Sequence, residues 1–154
     1  SYTEIGLKEG AKLLYGGSAL KGKGFFYHPT LFTDATYDMR IAQEEIFGPT
    51  VCIITVKNLE EAIEVMNSVS YGLSSSIYTS SMRSAFKAIE GIEAGLTYVN
   101  SSTIGSEAHL PFGGVKQTGN IREAGIEGIN AFSEIKTVYF DYSGKLQRAQ
   151  IDLE

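Results

Sequence analysis

Thr50–Val56 reads TVCIITV, Leu73–Thr79 reads LSSSIYT and Leu96–Asn100 reads LTYVN, and the intervals between these stretches decide the fold. The first is a short, β-branched apolar run of the kind that forms a buried parallel strand. Behind it Asn58 offers a helix N-cap, with Glu61 three residues on as in a capping box. Leu59, Ala62, Ile63 and Met66 then recur at i, i+3, i+4 and i+7, the stripe of an amphipathic helix. Gly72 marks the exit. The pattern repeats: Ser80 or Ser81 caps a helix whose apolar face is Met82, Ala85, Phe86 and Ile89. Gly91 stands where a left-handed C-terminal residue is expected. Helical crossovers of this length imply parallel strands and right-handed connections. The expected class is α/β: an open, mainly parallel twisted sheet with flanking helices.

The flanks are less regular. Glu4 to Glu9 reads as the end of a helix and Ala11 to Tyr15 as a strand. Gly16 to Gly24 is a glycine- and lysine-rich turn, and Phe25 to Phe32 is extended around Pro29. After Asn100 little pattern appears until Gly119, and Arg122 to Phe132 predicts a short helix weakened by Gly125 and Gly128. Thr137, Tyr139 and Asp141 then alternate with Val138, Phe140 and Tyr142, a strand with two faces.

Composition bounds the rest. A chain of 154 residues, 43% apolar and 20% charged, suits one domain and excludes disorder and collagen-like repeats. No apolar run reaches the ~18–20 residues of a membrane-spanning helix. Ser1-Tyr2-Thr3-Glu4 shows no signal peptide, and the missing Met suggests an excised or processed piece. A cytoplasmic location follows as the expectation. The net charge of −5 argues against nucleic acid or an anionic membrane as main partner. A single cysteine excludes an internal disulfide and a four-cysteine zinc site.

Several motifs fail on inspection. Gly17–Gly24, GSALKGKG, has phosphate-loop spacing, but Gly24 stands where Ser or Thr must hold Mg²⁺ and an extended segment follows instead of a helix. A mononucleotide-binding module is thus the weakest of the readings. Gly72-Leu73-Ser74-Ser75-Ser76 lacks the second glycine of a nucleophile elbow. His28 and His109 have no partners at metal-ligand spacing, so no metal is expected. Cys52, inside an apolar strand, reads as a buried, inert thiol. Two segments resist a bland reading. Glu44–Pro49, EEIFGP, sets two carboxylates and a phenyl ring before a strand. Pro111–Lys116, PFGGVK, lies in the long loop after the third strand, where open parallel sheets bind ligands.

These segments, in order, resemble the C-terminal part of the catalytic domain of the aldehyde dehydrogenase superfamily. The resemblance runs from Glu9–Leu14 (EGAKLL) to Lys136–Tyr139 (KTVY), and its most specific parts are EEIFGP at 44–49, LPFGGVKQTG at 110–119 and REAG at 122–125. Tyr98-Val99-Asn100 is similar to the family's strand end. The resemblance implies oxidation of an aldehyde to an acid by NAD or NADP through a cysteine thiohemiacetal and thioester. It gives Glu45 the hydroxyls of the nicotinamide-side ribose, Phe47 a place beside the nicotinamide and Phe112 a wall of the aldehyde tunnel. Glu123 becomes either an auxiliary catalytic group near the thioester or a structural carboxylate tied to backbone amides. Ser101 to His109 becomes the loop for the substrate's far end, with Ser101, Ser102 and Thr103 as hydroxyl donors. The family's nucleophile lies far upstream of EEIFGP in a Gly-Gln-x-Cys context, and only 44 residues precede Glu45. The general base, oxyanion asparagine and cofactor domain are upstream too. Asn120-Ile121 departs from the family's Gly-rich spacing before REAG. The expectation is a catalytic-domain part over 1–133 and an oligomerisation strand and tail over 134–154, inactive alone and joining a homo-oligomer. The competing reading is a non-catalytic interaction or assembly module.

Overall fold

The computed structural model describes residues 1–145, so the end of the expected 134–154 unit lies outside the described residues. Helix α1 (Tyr2–Glu9) stops at Gly10, whose φ of 102° is open to glycine at little cost. Strand β1 (Lys12–Tyr15) then pairs antiparallel with β2 (Thr30–Thr33), and β2 pairs parallel with β3 (Thr50–Cys52). Between β1 and β2, Gly16, Gly17, Gly22 and Gly24 all have positive φ, and no helix follows, which fits a turn and not a phosphate loop. Phe32 of β2 is fully buried and centres the core with Ala11, Ala35 and Ile41; Ile5, Leu13, Ile46, Cys52 and Ile54 pack around it. Ile41 belongs to α2 (Arg40–Gln43), a single turn with no apolar period long enough to be read from the sequence.

Helix α3 (Leu59–Asn67) starts as expected: Asn58 Oδ1 accepts from Glu61 N–H at 2.9 Å. The box closes one residue earlier than anticipated, because Glu61 Oε2 accepts from Lys57 N–H at 2.6 Å. Strands β4 (Tyr71–Gly72) and β5 (Ser74–Ile77), helix α4 (Met82–Gly91) and strand β6 (Leu96–Val99) follow. The β5–α4–β6 unit is parallel as predicted, with Ser74 opposite Leu96 and Ile77 opposite Val99. Strand β7 (Val115–Lys116) pairs antiparallel with β4, and α5 (Gly125–Ala131) is the final helix among the described residues.

Four expectations change. The single open sheet is three separate ladders, β1-β2-β3, β4-β7 and β5-β6, so β3 and β5, which α3 connects, are not hydrogen-bonded neighbours. Strand β3 is packed on one face only: Val51 and Ile53 remain 58% and 47% exposed while Cys52 and Ile54 turn inward. Gly91 is the last helical residue without a positive φ. Its role is packing, since a Cβ there would lie 3.1 Å from Ile63 Cγ2 of α3. The helix expected from Arg122 begins only at Gly125, because Glu123 is drawn into a backbone bridge with Phe112 and Ala124 takes φ 65°. Residues 134–142 are exposed and join no ladder among the described residues. The rings of Phe140 and Tyr142 nevertheless stack, 6.4 Å apart and 7° from parallel, as side chains on one face of an extended segment can. No described helix is long and apolar enough to cross a membrane.

Candidate active site

Glu44, Glu45 and Phe47 sit where α2 runs out into the β3 approach. Exposure alternates along this stretch: Glu44 and Ile46 are half-buried, Glu45 and Phe47 exposed. Ile46 packs against the core, while Glu44 is held by three hydrogen bonds. Tyr2 Oη donates to Glu44 Oε2 at 2.8 Å, Arg40 Nε to Oε1 at 2.6 Å and Arg40 Nη2 to Oε2 at 3.0 Å. The Arg40 guanidinium, then the Tyr2 hydroxyl, hold the Glu44 carboxyl below the usual carboxylate range. Glu45 is the reverse case. Its carboxylate has no hydrogen-bond or ion-pair partner among the described residues, and it lines a cleft of about 480 Å³ with Ala42, Glu44, Val69, Tyr71, Leu73, Gln117 and Thr118. Phe47 carries φ 51° and its side chain is almost free, 94% exposed.

The other motifs dock on each other. Phe112 N–H donates to Glu123 O at 2.6 Å and Glu123 N–H returns to Phe112 O at 2.8 Å. Arg122 Nη1 donates to Gly114 O at 2.6 Å. Contact this close demands glycine: a Cβ on Gly95 would fall 1.7 Å from Gly113 O, and one on Gly114 would fall 2.3 Å from Thr118 Cγ2. Lys116 pins the loop from outside, with Nζ donating to Asn67 O at 2.7 Å and pairing with Glu93 Oε2 at 2.7 Å. Phe112 and Glu123 thereby share a cleft of about 260 Å³ with Leu73, Gly113, Gly114, Thr118 and Ile121. The backbone bridge to Phe112 fixes the Glu123 main chain, and its carboxylate accepts no hydrogen bond among the described residues.

Leu73 and Thr118 line both clefts, so the Glu45 and Phe112–Glu123 regions share a wall. Neither residue was singled out from the sequence. Thr118 lay inside a quoted motif, but its role depends on Oγ1 accepting from Gly72 N–H at 2.9 Å, a contact across 46 positions. Part of the 101–109 loop, including Ser101, Ser106 and Glu107, lines a different cleft of about 560 Å³ against β6; Ser102 and Thr103 do not. Tyr98 Oη donates to Gly105 O at 2.8 Å and ties that loop to the strand. Asn100, at the strand end, binds the Thr79 backbone through its side-chain amide, Oδ1 accepting from Thr79 N–H at 2.8 Å and Nδ2 donating to Thr79 O at 2.9 Å. Cys52 is half-buried in the core with Sγ 3.8 Å from Ile41 O, and burial pushes its thiol up, away from the nucleophilic thiolate. Among the described residues no group of three or more His, Cys, Asp or Glu side chains could hold a metal ion.

Known proteins share this sequence pattern and fold. The chain is 46% identical over 143 residues to an aldehyde dehydrogenase of Enchytraeus buchholzi, covering 93% of this chain and 29% of that protein. Its fold matches the NAD-dependent aldehyde dehydrogenase of Sinorhizobium meliloti with a TM-score of 0.90 at 36% identity, over 96% of this chain and 29% of that one. It matches the NAD⁺ complex of the Bacillus cereus aldehyde dehydrogenase with a TM-score of 0.88 at 39% identity, over 92% of this chain and 28% of that one. The chain thus spans less than a third of the length of these relatives. The sequence profile of the aldehyde dehydrogenase family matches residues 1–138, and the chain belongs to that family.

Proposed function

We propose that this chain supplies the nicotinamide-ribose carboxylate and one wall of the aldehyde channel to an NAD(P)-dependent aldehyde dehydrogenase subunit. The observation that supports the reading is that Leu73 and Thr118 line both clefts, so that Glu45 and the Phe112–Glu123 pair border a common wall. The cofactor, when bound, accepts hydride at its nicotinamide. Glu45 suits its ribose: two unengaged carboxylate oxygens at a cleft can accept from two neighbouring hydroxyls. Phe47 presents an exposed ring that limits where the nicotinamide can sit, and Phe112 lines the channel. Glu123, with its backbone fixed by the Phe112 bridge, is in this reading the group that accepts or passes a proton near the reacting carbon. The covalent step needs a thiolate, and Cys52 is packed in the core away from both clefts, so the nucleophile is supplied outside the chain. The exposed segment 135–142, which joins no ladder among the described residues, fits pairing with a neighbouring subunit.

The purified 154-residue chain mixed with an aldehyde and NAD⁺ or NADP⁺ tests the missing nucleophile. No reduced cofactor should accumulate. Steady production that Cys52→Ala abolishes would overturn the reading.

A further inference from the structure

Two glutamates in succession stand in opposite environments. Glu44 is bound on both carboxylate oxygens, while its neighbour Glu45 has no partner among the described residues. The groups that bind Glu44 are themselves anchored. Tyr2 belongs to α1, and the backbone N–H of Arg40 donates to Glu9 Oε2 at 2.8 Å, at the other end of that helix. Glu44 N–H also donates to Arg40 O at 2.8 Å, closing the single turn of α2. The chain leaves the helix at this residue, with φ −99° and ψ 149°. In an extended segment adjacent side chains point to opposite sides. Holding Glu44 against α1, with Ile46 in the core, therefore turns Glu45 to the exposed side, at the mouth of the cleft that both residues line.

We propose that Glu44 is a positioning residue whose carboxylate, gripped by Tyr2 and Arg40, fixes the exit from α2 and thereby aims Glu45 at the cofactor ribose. The proposal rests on the reading of Glu45 given above. Charge alone does not explain the pair: a second unengaged carboxylate beside Glu45 would repel it, whereas Arg40 neutralises Glu44 and leaves Glu45 as the cleft's free acceptor.

Isotope-labelled chain titrated with nicotinamide mononucleotide, a probe that carries the relevant ribose, tests this by a double-mutant cycle. In the parent, the probe should shift the amide signals of Glu45, Phe47 and Thr118. Glu44→Gln and Glu45→Gln should each weaken binding about tenfold, and the double variant should be no weaker than Glu45→Gln. A role for Glu44 in stability alone would leave the affinity of the folded variant unchanged or make the two losses add, and either result overturns the proposal. Should Glu44→Gln fail to fold, Tyr2→Phe, which removes one of the three hydrogen bonds, takes its place in the cycle. No shift in the parent at saturating probe would reject the ribose reading itself, and the positioning role with it, before any variant is made.

Discussion

Phe47 holds a left-handed backbone, φ 51°, with its ring 94% exposed, so the conformation is imposed by the turn and not by packing of the side chain. A residue with a Cβ loses about 1–2 kcal/mol there, against roughly 0.5–1 kcal/mol of extra chain entropy that glycine gives up on folding. Phe47→Gly should therefore unfold at higher urea than Phe47→Ala, by on the order of 0.5 kcal/mol; equal midpoints would show that the turn carries no strain. Glu44 makes a second prediction. Its pKa is lowered in the folded chain, first by Arg40 and then by Tyr2, so its contribution is complete above the unfolded carboxylate range and fades as pH falls through the folded value. Urea midpoints from neutral pH down to about 3 should thus drop more steeply in the parent than in Glu44→Gln, the two curves converging in acid. Parallel curves would contradict the ion pair. At this scale the strings that hold Glu45, Phe47, Phe112 and Glu123 stand out in the sequence because each is short and specific, and the roles given to these residues are proposals. Tyr2 and Arg40 were not, because the contact from Tyr2 to Glu44 spans 42 positions and no local pattern encodes it.

Packing between helices decides what Gly91 does. Alanine is favoured over glycine in a helix by up to ~1 kcal/mol, but here its Cβ would press on Ile63 at 3.1 Å. Gly91→Ala should be more favourable by at least about 0.5 kcal/mol in an Ile63→Ala background than in the parent, read from urea melts of the four proteins. An identical effect in both backgrounds would return Gly91 to a purely conformational role. Such a contact explains why the local period located α3, α4, β5 and β6 correctly while the purpose of the glycine between them was misread. The β4–β7 ladder was invisible for a related reason: Tyr71 and Lys116 pair across an interval that holds β5, α4 and β6, in strands of two residues with no period to detect. The 135–142 segment is a different case, since its alternation is plain in the sequence and it joins no ladder among the described residues. In the intact assembly, Val138→Pro removes one ladder donor and should lower the mass seen by light scattering. A folded variant of unchanged mass would reject the intersubunit role.

For the whole molecule, the sequence conveyed the class of fold and the family but not how the sheet divides. Strands such as β3 are apolar on both faces, which reads as a buried central strand, yet Val51 and Ile53 stay open and three ladders replace one sheet. A chain that spans 29% of its relatives leaves to the remaining length whatever covers those faces there. In the proposed function two clefts built from distant stretches of sequence act as one site, with Glu45 at its cofactor end. Grafting this chain in place of its counterpart in the Bacillus cereus enzyme, whose structure it matches with a TM-score of 0.88, allows hydride transfer to be timed in a single turnover. Displacing reacting groups by about 1 Å costs on the order of 10²-fold in rate. The graft carrying Glu45→Gln should transfer hydride slower than the parent graft by about that factor, with bound aldehyde unchanged; equal single-turnover rates would contradict the assignment of Glu45 to the cofactor ribose.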